Sequence, residues 1–282
     1  MIGCVILTQG DRRELLVRAI DSVRSQDNVE VEVLVVINGT DDVVTPPAVD
    51  RLVMGHNTGV PVARNRGLAK VDGDLILFLD DDAELGAPDV LAQAEQRFAH
   101  RPGLGILSLR LLDPSGRAPQ RRHVPRLRAG DPARSSPVTT FLGGACIVRR
   151  AVFDEVGDYP EEFFWAHEET SLAWRAIDAG YEIRYEGDLI VHHPSLPPSG
   201  TQKASYHDSR NRVLLARRHL PLPVGLLYVA NWTLLAMVRT PGRWRSILRG
   251  ISQGLQQPTG PRRPISWRAC WRMTRAGRPP II

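Results

Sequence analysis

Apolar and polar positions alternate along the first two hundred residues in short blocks with two different periods. Residues 4–7 and 31–37 (VEVLVVI) are continuous apolar runs of strand length, while Leu15, Leu16, Ala19, Ile20 and Val23 between them recur at helical spacing over 13–26. Together they form a β-α-β unit, which implies parallel strands and a right-handed crossover. A third short strand is expected near residues 51–54, then a glycine-containing loop entering a helix over 57–70 and a strand over 75–79. The pattern continues with a helix over 88–100, strands over 104–112 and 140–148, and helices over 150–156 and 168–179, the second ended by Gly180. Short strands follow over 181–185 and 189–191. Regular alternation of this kind predicts a doubly wound α/β domain. Over 113–137 no period survives and Pro, Gly and Arg accumulate, so a long irregular loop is expected there.

Composition adds a boundary and a charge asymmetry. At 282 residues, 43% hydrophobic and 24% charged, the chain can bury a sizeable core. Cys4, Cys146 and Cys270 fall in neither a zinc nor a redox spacing, which predicts structural thiols in a reducing compartment. No basic segment precedes the first apolar run, so no signal peptide is read and a cytoplasmic location is expected. The net charge is +5, yet the ten arginines from Arg239 onward, with no Asp, Glu or Lys among them, leave 26 basic against 31 acidic residues before them. Just ahead of that tail lie 19 uncharged residues, 220–238, near the length of a bilayer span but interrupted by Pro221, Pro223, Gly225 and Asn231. An interfacial helix backed by arginines is the expectation, peripheral at the inner face of the membrane and meeting anionic lipid. Packing on the main domain is the rival. Nucleic acid is not expected as a partner, because Trp232, Trp244, Trp267 and Trp271 interleave with apolar residues and no reader motif is present. Residues 254–282 read as partly disordered. The organisation predicted is a main domain over 1–215 and a helical extension over 216–282.

The strand over 75–79 ends in three consecutive carboxylates, Asp80, Asp81 and Asp82. Ligands of open α/β sheets bind at the carboxyl ends of strands, and clustered carboxylates repel unless a cation joins them. A hard divalent ion with phosphate oxygens satisfies that demand. A turn followed by a helix N-cap would also use Asp. Other features follow one another along the chain: the loop from Thr8 to Arg12 after the first strand, the run Asn38, Gly39, Thr40, Asp41 and Asp42 after the second, the pair Arg64 and Asn65, Gly143 with Gly144, Glu168 with Glu169, and His193.

In order and spacing over roughly residues 2–215, these motifs resemble the family 2 glycosyltransferases, inverting enzymes of the GT-A fold that use nucleotide sugars. The resemblance implies a Rossmann-like, mostly parallel sheet flanked by helices. It also implies donor contacts from Thr8, Arg12, Asn38, Asp41, Arg64, Asn65 and Asp81, with Gly143 and Gly144 as backbone against which the donor sugar rests. The family's metal-binding DxD falls on Asp80 and Asp82, with His193 as a nitrogen ligand and His192 as its neighbouring alternative, so that Mn²⁺ or Mg²⁺ carries the leaving diphosphate. The general base falls on Glu169, with Glu168 close behind, and Trp165 and His167 are placed to meet a glycan or lipid-linked acceptor. Arg121, Arg122, Arg126 and Arg128 in the long loop could close over the diphosphate, or simply be solvated. The stretch 208–219 resembles a helix of actinobacterial-type members in which Arg210, Asn211 and Arg212 face the site. Three positions depart from the pattern: Ile37 replaces an acidic base contact, Glu169 replaces Asp, and Ser171 replaces a later Asp. Those departures support one rival, an inactive binding protein of the same fold. A nucleotidyltransferase is the other, and it lacks here the Gly- and Lys/Arg-rich phosphate loop after the first strand.

Overall fold

In a computed structural model, described for residues 1–39, 43, 45–47, 49–118, 123–126, 130–194 and 201–282, the apolar runs assemble into one nine-stranded sheet. Its strands are β1 (Ile2–Thr8), β2 (Val31–Ile37), β3 (Asp50–Val53), β4 (Leu75–Asp80), β5 (Glu84–Leu85), β6 (Leu104–Leu112), β7 (Ser136–Pro137), β8 (Ala145–Arg149) and β9 (Glu182–His192). The helices are α1 (Arg13–Arg24), α2 (Val60–Leu68), α3 (Val90–His100), α4 (Arg150–Val156), α5 (Glu168–Ala179), α6 (Gln202–His219), α7 (Leu222–Arg239), α8 (Trp244–Gln256) and α9 (Trp267–Arg275). Spatially the strands run β3-β2-β1-β4-β8-β6-β9-β5, with β7 on β9. Pairing is parallel from β3 through β4 and between β6 and β9, whereas β8 runs antiparallel to both neighbours. From β1 the chain steps outward to β2 and β3, then returns to lay β4 on the other side of β1. The crevice at the carboxyl ends of β1 and β4 is therefore a topological switch point.

Strand periodicity divides the interior in two. Val5, Val36, Ile76 and Phe78 belong to the core beneath α2, α4 and α5, whereas Ile6, Val35, Ile37, Leu77 and Leu79 belong to the core beneath α1 and α3. Both faces are covered, which is why these strands read as continuous apolar runs. Ile37 is fully buried in the second core, so no contact with a nucleotide base comes from it.

Three sequence expectations change. The two strands expected over 181–185 and 189–191 are one, β9, whose register on β6 jumps between Glu186 and Ile190. The strand expected from 140 begins only at Ala145, after Gly143 and Gly144. The segment beyond 254, expected to be partly disordered, instead completes α8 and builds α9, whose Ala269, Cys270 and Met273 join the core. Arg272 explains the docking, since it donates to the carbonyls of Ile177 at 2.6 Å and Gly180 at 2.9 Å, capping the end of α5.

Candidate active site

β4 sorts its carboxylates as it ends. Asp80 continues the side of Ile76 and Phe78 and lies 3.9 Å from Arg64 of α2. Asp81 turns to β1, accepting from Thr8 Oγ1 at 2.6 Å and facing Arg12 at 3.2 Å. Asp82 pairs with Arg12 through one oxygen and lies 3.2 Å from His193 Nε2 through the other. Thr8 and Arg12 are thus engaged with the acidic turn. The helix-cap reading of the triplet fails, because the next helix, α3, begins at Val90 behind Asp89.

Burial raises the pKa of Asp80, and it carries Asp81 to about 6 against the pull of Thr8 and Arg12. For Asp82 burial acts in the same direction, but the His193 hydrogen bond and the charges of His193 and Arg12 outweigh it and hold the carboxyl below its ordinary value. His193 is raised in turn: burial opposes its charge, and Asp82 more than compensates. Asp80, Asp82 and His193 each offer one ligand atom, all within 4.8 Å of one another. Two hard carboxylate oxygens and an imidazole nitrogen suit Mn²⁺, and the oxygens alone suit Mg²⁺. A Cβ on Gly144 would overlap the Asp80 carboxylate, so the backbone is shaped to admit that side chain. These residues fit a divalent ion. His192 pairs along the strand with Leu112 and Glu84 and stands outside the group.

On the α2 side, Arg64 is 5% exposed and gathers Glu169 at 3.1 Å and Glu168 at 3.4 Å, with its guanidinium 6.0 Å from the Phe78 ring centroid and 5.8 Å from that of Tyr159. Burial works against its charge, yet the surrounding carboxylates keep it protonated. Glu168 is buried, and desolvation together with the neighbouring Glu169 charge raises its pKa strongly. Glu169 keeps an open side. A Cβ on Gly143 would meet both Arg64 and Glu169.

The acidic pair is delivered by a strained loop. Phe164, Ala166 and His167 have φ of 59°, 71° and 72°, a region that side chains other than glycine enter at a cost of about 1–3 kcal/mol each. The loop is over-determined from α6. Asn211, fully buried, donates from its amide to the carbonyls of Phe163, Trp165 and Ala166 at 3.0, 2.8 and 2.7 Å. Arg210 donates to the carbonyls of Glu162 and Phe163, and Val60 N of α2 holds Phe164 O at 2.8 Å. His167 bonds Asp208 at 2.9 Å, and Asp208 is held ionised chiefly by Arg212, which overcomes burial. Trp165 stands 42% exposed beside this cluster.

Two expected donor ligands do scaffolding here. Asn38 is buried and spends its amide on Thr58 and the carbonyl of Gly59, and Asn65 clamps Tyr159 through both its N–H, at 3.0 Å, and its carbonyl, at 2.9 Å. Asp41, Arg121, Arg122 and Arg128 lie outside the described residues. Arg126 is spent on the carbonyls of Asp131 and Arg134. Sequence reasoning missed Asp208 and Tyr159, for which no local signal exists because their partners lie 41 and 94 residues away.

The glycosyl transferase family 2 model matches residues 4–157, more than half of the 282 residues. The N-acetylglucosaminyl-diphospho-decaprenol L-rhamnosyltransferase of Mycobacterium tuberculosis is 28% identical over 235 residues, which cover 67% of this chain and 76% of that protein. The O-antigen biosynthesis protein RfbC of Myxococcus xanthus is 26% identical over 219 residues, 68% of this chain but only 17% of that protein. Among solved structures, the mannosyltransferase PcManGT from Pyrobaculum calidifontis, in complex with GDP-Man and Mn²⁺, superposes with a TM-score of 0.58 at 16% identity over 98% of this chain and 79% of its own. That likeness is one of fold, the GT-A fold. With the family model spanning strands β1 to β8 and the acidic turn of β4, the chain belongs to glycosyl transferase family 2.

Proposed function

We propose that this chain moves a sugar from a nucleoside-diphosphate sugar to a hydroxyl of a lipid-linked glycan, with inversion at the anomeric carbon, in cell-envelope synthesis at the inner face of the membrane. One observation carries the reading. Arg64 reaches Asp80 at 3.9 Å and Glu169 at 3.1 Å, so the phosphate-side acids and the acceptor-side acid share one buried cation. The named activity of the mycobacterial relative supports a lipid-linked acceptor. In this reading residues 1–215 carry the chemistry and 216–282 form the extension.

Asp80, Asp82 and His193 would hold Mn²⁺ or Mg²⁺, which when bound supplies Lewis-acid neutralisation of the departing diphosphate. Burial and the neighbouring Glu169 charge raise the pKa of Glu168 against the pull of Arg64, and its burial keeps it from the acceptor. Glu169 is the open member of the pair and accepts the proton of the acceptor hydroxyl. As that oxygen bonds to the anomeric carbon, the bond to the diphosphate oxygen breaks on the opposite side and its electron pair leaves with the diphosphate. A single displacement of this kind inverts the centre. Trp165 offers an aromatic face to the acceptor sugar.

The test is turnover of a panel of UDP-, GDP- and dTDP-sugars with Mn²⁺ or Mg²⁺ and a short-chain lipid-linked acceptor. Glu169→Gln is expected to lower turnover by about 10²- to 10⁴-fold while leaving donor binding intact. Absence of donor binding and turnover with either metal would falsify the reading.

A further inference from the structure

The C-terminal helices carry apolar side chains that neither core covers. On α7, Leu222, Leu226, Leu234 and Val238 repeat at four- and eight-residue intervals along one side, each more than 60% exposed. On α8, Trp244, Leu248 and Leu255 are exposed at helical spacing, while Ile247, Gly250 and Gly254 face the protein. On α9, Trp267 and Trp271 stand one turn apart, each 63% exposed, above the buried Ala269, Cys270 and Met273. Three successive helices are therefore docked along one side and apolar along the other.

The charge around these stripes has one sign. From residue 239 to the end there are ten arginines and no carboxylate side chain. Arg272 and Arg262 are spent on backbone carbonyls, but Arg245, Arg249, Arg268 and Arg275 are exposed on the same helices as the apolar stripes. Exposed Leu and Trp interleaved with Arg fit an interface that is apolar below and anionic above, the boundary between acyl chains and phosphates of a membrane leaflet.

We infer that α7, α8 and α9 form the surface on which the protein rests on an anionic membrane, lying in the interface rather than crossing it. α7 is long and apolar enough to be considered as a span. Its other side is engaged, however: Gly225 and Tyr228 are buried, Asn231 donates to Ile281 O at 3.0 Å, and the Arg212 guanidinium stacks 3.7 Å above Trp232. A spanning helix would have to give up those contacts or take Arg212 into the hydrocarbon. The surface also adjoins the acceptor side of the site. A groove lined by Trp165, Asp208, Arg212, Trp232, Leu235 and Arg239 runs between α6 and α7, and opens where a lipid-borne acceptor would arrive. Only that last point rests on the proposed transferase reading.

The experiment is cosedimentation of the full chain with vesicles of phosphatidylcholine alone and of phosphatidylcholine with about 30% phosphatidylglycerol, an anionic surface. Binding at least tenfold tighter to the anionic vesicles is expected, together with release by high salt. Trp267→Ser/Trp271→Ser and Arg245→Glu/Arg249→Glu are each expected to weaken binding tenfold or more, with thermal melts and soluble-donor turnover unchanged because all four positions are exposed. Several outcomes would overturn the inference: full-length protein left in the supernatant with both vesicles, equal binding by both double variants, or cellular membrane association that resists alkaline carbonate. A dimer dissociated by the same variants, without vesicle binding, would assign the surface to a second copy. Donor turnover in the same preparations separates the two ideas, since an inactive protein that binds vesicles fails only the transferase reading.

Discussion

Gly144 faces the Asp80 carboxylate with no space for a further carbon, and Gly143 does the same for Arg64 and Glu169. Neither glycine takes a left-handed conformation, so close approach is the reason for both. Gly144→Ala must push Asp80 out of line with Asp82 and His193. Titration of the purified protein with Mn²⁺ is expected to show affinity weakened by tenfold or more, with little change in the melting temperature. At this scale the sequence was informative where side chains act close to their own backbone. The aspartate triplet and the acidic pair stand where a strand end and a helix start were expected, whereas the glycine pair, expected inside a strand, precedes one. It was silent on distant structural partners: Asn38 and Asn65, expected beside the donor, hold loops at residues 58–59 and 159.

Elements set where those residues point, and α6 does most for the acidic pair. Its Asn211 supplies three loop carbonyls, and Asn211→Leu would leave them without that partner while the positive-φ residues keep their strain. A loss of roughly 2–4 kcal/mol in urea denaturation is expected. Donor turnover should fall as well, since Glu168 and Glu169 follow the loop directly. The β-α-β alternation was legible because each element's own period reveals it. The loop geometry was not, because Phe and Ala carry no preference for positive φ and the amide that holds the loop lies 45 residues downstream. The continuity of β9 is hidden for a similar reason: Glu186, Gly187 and Asp188 resemble a turn, while pairing with β6 resumes beyond them.

Across the whole molecule, the extension and the main domain share one interior. Tyr228 packs edge-on against Trp174 at 5.5 Å, and Ile265, Ala269 and Met273 fill the same core as α5. Deletion of residues 220–282 would uncover that core and remove the Arg272 cap. The truncated chain is expected to be insoluble or to melt without a cooperative transition, as measured by solubility and calorimetry beside the full chain. Surface substitutions are for that reason the cleaner probe of membrane contact. The close fit of α8 on α6 has one more consequence. Gly250 and Gly254 leave room for nothing between α8 and the backbone of Arg210, the residue whose guanidinium grips the carbonyls of Glu162 and Phe163. α8 thus bears on the backbone of the residue that holds the start of the strained loop ahead of the acidic pair.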